Sequence, residues 1–160
     1  MRRSTMATMA VAFGAFALIG CSSDSKSTTT AAPADGGGIT VPAATGTPVS
    51  VIAGDTSATA QFLTVDPVTV KSGEVTFTFE NTGNRQHEMV ILKTDEAFDQ
   101  LTVEADNRVS EDTTVGEIGE TEAGKTVVQT FDLTPGKYVL VCNLEKHYAQ
   151  GMRSAFTVEP

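Results

Sequence analysis

Four side chains carry the chemistry this sequence can do. Cys142, His147 and Met152 follow one another at five-residue intervals in Cys142-Asn-Leu-Glu-Lys-His147-Tyr-Ala-Gln-Gly-Met152, and the chain's only other histidine, His87, begins a separate strand-like run. A thiolate with two imidazoles and a weakly held thioether is the ligand set of a blue-copper electron-transfer site. The soft sulfurs suit Cu(I), the imidazoles suit both oxidation states, and a geometry constrained between the two keeps reorganisation small when an electron moves. Zinc is the main competitor; it accepts Cys and two His, but rarely takes Met and more often recruits another Cys or a carboxylate. Taken singly, a buried Cys at a strand end or a Met is ordinary packing, and a lone His is ordinary surface. Taken together, both histidines, the only cysteine outside the N-terminal segment and a suitably spaced Met fall where such a site needs them. The expectation is one copper ion held by His87, Cys142, His147 and Met152.

These ligands need a rigid frame, and the pattern from Val49 onward supplies short strands. Val49–Ala53, Gln61–Val65 and Val68–Val70 are brief apolar runs, and Val75, Phe77 and Phe79 alternate with Thr76, Thr78 and Glu80 as in a half-buried strand. After the turn-like Asn81-Thr-Gly-Asn84, His87, Met89 and Ile91 share one face, leaving Glu88 and Val90 on the other, where Glu88 is expected to point outward. Thr126–Leu133, Lys137–Cys142 and a last run through Phe156 and Val158 follow, with Thr134-Pro-Gly136 as a turn. Seven or eight short strands with turn signals between them predict an all-β sandwich. Residues 94–125 interrupt the pattern with ten acidic side chains; a solvated connection is expected there, with one short helix over Asp95–Arg108 turning Phe98 and Leu101 inward. The ligand spacing of a calcium loop is absent from it.

The N-terminal part reads differently. Residues 1–20 combine Arg2 and Arg3 with an apolar run from Ala7 to Ile19, too short for a comfortable membrane span, which predicts a secretory signal. Leu18-Ile19-Gly20-Cys21 looks like the lipobox of bacterial lipoproteins, making Cys21 the lipidation site and leaving no disulfide partner for Cys142. Residues 21–48 form a Ser/Thr/Ala/Gly/Pro tether; about 27 such residues reach roughly 30 Å. The domain itself is expected over 49–160, exported and lipid-anchored to the outer face of the cytoplasmic membrane or within the periplasm or cell envelope. Removing Arg2 and Arg3 leaves nine basic against twenty acidic residues, a charge of −11. That charge speaks against nucleic acid or anionic lipid as partner and for a cationic redox protein such as a cytochrome or oxidase. A monomer is expected.

Two segments also resemble a known family. Phe77–Phe79, Asn81-x-Gly83 and His87 look like the segment that carries the first histidine ligand of the cupredoxins, the small blue copper proteins. Pro135-Gly136-x-Tyr138-x-x-x-Cys142 resembles the strand that delivers their cysteine, and Cys-x4-His-x4-Met is spaced as in the rusticyanin and sulfocyanin branch rather than the plastocyanin one. The resemblance implies a Greek-key sandwich, equatorial ligands at His87, Cys142 and His147, and an axial ligand at Met152. Asn81, Glu88 and Asn143 are candidates for hydrogen bonds around the ligands. Glu88 stands where many cupredoxins have Asn or Ser, and Lys146 where Gly often precedes the loop histidine.

The function expected is a membrane-tethered carrier cycling between Cu(I) and Cu(II), without substrate chemistry. The alternative is an envelope copper-binding module for storage, delivery or sensing, which the same ligands would serve. Copper oxidases and nitrite reductases need further histidines for a second centre, and none remain once His87 and His147 are assigned.

Overall fold

The computed structural model describes residues 45–160. The expected signal segment, Cys21 and all but the last four residues of the tether lie outside them. Nine strands are present among the described residues: β1 (Thr47–Asp55), β2 (Gln61–Asp66), β3 (Thr69–Lys71), β4 (Gly73–Asn81), β5 (His87–Lys93), β6 (Thr114–Thr121), β7 (Thr126–Leu133), β8 (Gly136–Val141) and β9 (Arg153–Glu159). They form two sheets, ordered β2-β1-β4-β7 and β3-β9-β8-β5-β6. The pairs β1–β4 and β3–β9 are parallel and the others antiparallel. This is the expected all-β sandwich, with one strand more than expected because β6 arises within the acidic connection.

Period-2 alternation builds the core. Val49, Val51 and Ala53 of β1, Val75, Phe77 and Phe79 of β4, Met89 and Ile91 of β5, and Tyr138 and Leu140 of β8 are all buried between the sheets. Phe77 lies at the centre, its ring 6.0 Å from Phe131 and 5.5 Å from Phe156. Burying a side chain of this size contributes about 1.5–3 kcal/mol. The outer face of the first sheet is wet and hydroxyl-rich, with Thr76 and Thr130 bonded across β4 and β7 at 2.8 Å.

The outer face of the second sheet is covered instead. Val90 and Leu92 of β5 and Val139 and Val141 of β8 form a second apolar cluster with Val109 and Tyr148, with Leu101 packed against it. The cover is the acidic connection, so it is more than a solvated link. The helix expected over Asp95–Arg108 is not formed; the segment makes turns and one isolated bridge between Val103 and Val109. The reason is visible in its backbone bonds. Tyr148 Oη accepts the Leu101 N–H and donates to the Phe98 carbonyl, both at 3.0 Å, taking groups a helix would pair internally. Phe98 is 40 % exposed rather than turned inward, while Leu101 is half-buried.

Candidate metal centre

His87 is delivered by a turn that Asn81 organises. The Asn81 amide donates to the carbonyls of Arg85 (2.7 Å) and Thr121 (2.8 Å), and its Oδ1 accepts the Gly83 N–H at 2.9 Å. Sequence reasoning had Asn81 beside the site; its role is to fix the chain entering His87. The pairing of β5 with β6 is irregular between His87 and Met89, as bulges near sites often are. Glu88 therefore stands outside the ladder, and its N–H lies 3.4 Å from Cys142 Sγ.

The other ligand candidates lie on the loop after β8. Its ends are tied by Cys142 N–H to the Met152 carbonyl and Met152 N–H to the His147 carbonyl, both 3.1 Å. Lys146 has φ 72°, a left-handed backbone that ordinarily favours glycine, which accounts for the Gly expected at this place in the resemblance. Gly151, at φ 117°, packs so closely on β2 that a Cβ there would meet the Gln61 carbonyl oxygen at 2.6 Å.

The fold brings three of the four predicted ligands together. Ligand atoms of His87, Cys142 and His147 all lie within 4.8 Å of one another. His87 Nδ1 is 3.3 Å from His147 Nδ1, which is 3.2 Å from Cys142 Sγ. Met152 is fully buried beside them in the chain, tied through its backbone to both Cys142 and His147. His87 and Cys142 are 0 % exposed and His147 8 %, so His147 is the least buried of the three.

The protonation states fit a metal site. Burial pushes the His147 imidazole down to about 4, helped by the neighbouring His87. Burial likewise lowers His87, against the pull of Asp55 in the other direction. Both imidazoles are thus neutral, with lone pairs free. Burial pushes the Cys142 thiol up to about 12, although N–H groups of Glu88 and Leu144 favour the thiolate. A metal entering here takes the place of the thiol proton. Two imidazole nitrogens and one sulfur, converging in a buried pocket, fit copper.

Glu88 corrects the sequence reading. It lies on the outer face of β5 as alternation demands, but that face is covered, so the side chain is 6 % exposed rather than solvated. Its Oε1 accepts the Asn143 N–H at 3.0 Å, so Glu88 bonds to the cysteine loop despite being a carboxylate. Burial and the nearby charge of Glu117 push it up to about 7. Asn143, also anticipated, is held from the connection. Its Oδ1 accepts the Val109 N–H at 2.8 Å, and its amide donates to the Val109 carbonyl (2.9 Å) and Glu111 (2.7 Å). Arg108 donates to the Asn143 carbonyl at 2.9 Å, and Lys146 N–H to the Asn107 carbonyl at 3.0 Å. Sequence reasoning missed Arg108, Val109 and Glu111 as holders of this loop. It also missed Asp55, whose carboxylate lies 3.5 Å from His87 Nε2.

A copper-binding β-sandwich is what fold and cluster define together. The family model of copper-binding proteins of the plastocyanin/azurin family matches residues 49–159, and the chain belongs to that family. Among solved structures it is similar to rusticyanin from Thiobacillus ferrooxidans, at 23 % identity over 71 % of this chain and 79 % of that one, with a TM-score of 0.53. It is also similar to reduced auracyanin from Roseiflexus castenholzii, at 27 % identity over 69 % and 97 %, with a TM-score of 0.49. No curated protein matches in sequence.

Proposed function

We propose that this protein is a mononuclear one-electron carrier of the cell envelope, in which His87, Cys142, His147 and Met152 would hold one copper ion. When bound, copper supplies a Cu(I)/Cu(II) couple; the chain's part is to hold the donors still and exclude water. The observation that carries the reading is the convergence of three buried donors from two separate segments, each fixed by its own hydrogen bonds. Donors held so firmly change little between oxidation states, which favours fast electron exchange. The chain's two histidines both belong to the cluster, which supports carriage over oxidase chemistry at a second centre. His147, the least buried of the three, is the proposed electron exit. The lipobox at Cys21 and the tether after it support attachment outside the cytoplasmic membrane, and the negative charge supports a cationic redox partner.

Voltammetry of the copper-loaded full chain tests this. A reversible couple, with copper retained against a chelator for hours, is expected of a carrier. Copper lost to the chelator within seconds would instead identify a storage or delivery module.

A further inference from the structure

Resting on the copper reading above, we propose that Asp55 is a positioning residue for the metal centre: its buried carboxylate takes the Nε2–H of His87, leaving Nδ1 as the ligating nitrogen, and its charge favours the oxidised metal. Asp55 ends β1, and parallel pairing of that strand with β4 sets Ala53 opposite Asn81. Thr82 N–H and Oγ1 both donate to the Ala53 carbonyl, at 2.8 and 3.0 Å, which carries the strand end to the turn before His87. There the Asp55 side chain is 6 % exposed and that of His87 0 %.

The carboxylate is itself aimed. Asn84 N–H donates to Asp55 Oδ2 at 2.7 Å, and the same oxygen lies 3.5 Å from His87 Nε2. Among the described residues neither His87 Nε2 nor Asp55 Oδ1 has a hydrogen-bond partner, and the Asp55 carboxylate is the acceptor nearest to that nitrogen. A buried N–H without an acceptor is costly, so the two groups have only each other to satisfy. Gly83 independently marks the spot as built for close approach. A Cβ there would meet Asp55 Oδ2 and, at 2.9 Å, His87 Nε2, so any other residue would press on the pair.

The chemistry follows from which nitrogen holds the proton. The opposite nitrogen, Nδ1, faces His147 Nδ1 and so the metal position. A carboxylate behind a metal-bound imidazole fixes its tautomer and ring angle and makes it more basic. A more basic ligand and a nearby negative charge both stabilise Cu(II) over Cu(I), which lowers the reduction potential.

Two variants of the full chain separate these roles. Asp55→Asn keeps an oxygen that can accept from both Asn84 and His87 but removes the charge. Its copper form is expected to lose about tenfold in preference for the oxidised state, an upward shift of about 59 mV for a one-electron couple. Asp55→Ala removes the acceptor as well. In the metal-free chain, nitrogen NMR should find His87 in the Nε2–H tautomer in wild type and Asp55→Asn, and in mixed tautomers in Asp55→Ala. An Asp55→Asn potential equal to wild type overturns the electrostatic role. An unchanged tautomer in Asp55→Ala overturns the positioning role, and if that variant does not fold, a wild-type His87 in the Nδ1–H tautomer does the same. The tautomer needs no copper, so failure of wild type to bind copper would sink the functional reading and leave this result standing.

Discussion

The two faces of the second sheet do different work. Residues Met89, Ile91, Tyr138 and Leu140 face inward and pack on the first sheet, while Val90, Leu92, Val139 and Val141, their neighbours on β5 and β8, face the acidic connection. The inner face is apolar and joined through rings; the outer one is a small apolar patch edged by Glu88, Asn143, Arg108 and Glu111. The first holds the sandwich together. The second holds the ligand loop, because Asn143, Lys146 and Tyr148 are bonded to the connection rather than to the core. Cys142 and Met152 themselves belong to the inner cluster, but the loop between them is anchored from the outer side, and substitutions should separate core stability from loop anchoring.

The largest effect should come from the inner face. Phe77→Ala removes the ring between Phe131 and Phe156 and should cost about 3–5 kcal/mol in chemical denaturation, with the visible spectrum of the still-folded copper protein unchanged. A changed spectrum would show that the faces are coupled.

Glu88→Gln probes the outer face through pH. The Glu88 carboxyl is held at about 7 when folded, against an ordinary value of 4.5. Between those values the folded copper-free protein binds the extra proton, so its stability falls as pH rises, by about 1.4 kcal/mol per unit. The expected loss by pH 8 is about 3 kcal/mol. Gln can still accept the Asn143 N–H, so the variant's denaturation midpoints should lack this component and exceed wild type above pH 7. Parallel pH profiles would contradict the burial of Glu88.

A smaller, more local effect is expected of Asn143→Ala. It leaves the Val109 N–H and carbonyl unpartnered, costing about 1–3 kcal/mol. Hydrogen exchange should quicken in the loop and the connection, Leu144–Gly151 and Leu101–Val109, while β4 and β7 stay protected. Uniform loss of protection would mean that the connection is part of the core.

The inner face was legible in the sequence because it obeys a simple rule. Val75, Phe77, Phe79, Met89 and Ile91 alternate, and alternation predicts both strand and facing. The ligand candidates were legible because Cys and His are rare here and their spacing is unusual. The outer face was hidden by composition. Ten acidic residues made 94–125 look fully solvated, although Leu101 and Val109, with Tyr148 of the ligand loop, cover the patch, and they are tied there through backbone groups that no side-chain pattern reveals. Glu88 was placed on the correct face and given the wrong environment for that reason. Asp55 had no local signal at all, since its meeting with His87 depends on parallel pairing between β1 and β4, distant in sequence. The expected signal segment, Cys21 and most of the tether lie outside the described residues.

Copper held by His87, Cys142 and His147 requires a thiolate ligand from Cys142. The most direct measurement is a visible spectrum of the metal-free full chain titrated with Cu(II), alongside Cys142→Ser. Wild type should turn deep blue and saturate at one copper per chain, with the thiolate charge-transfer band absent from the variant. A colourless wild type, or the same colour without the Cys142 sulfur, would contradict the account.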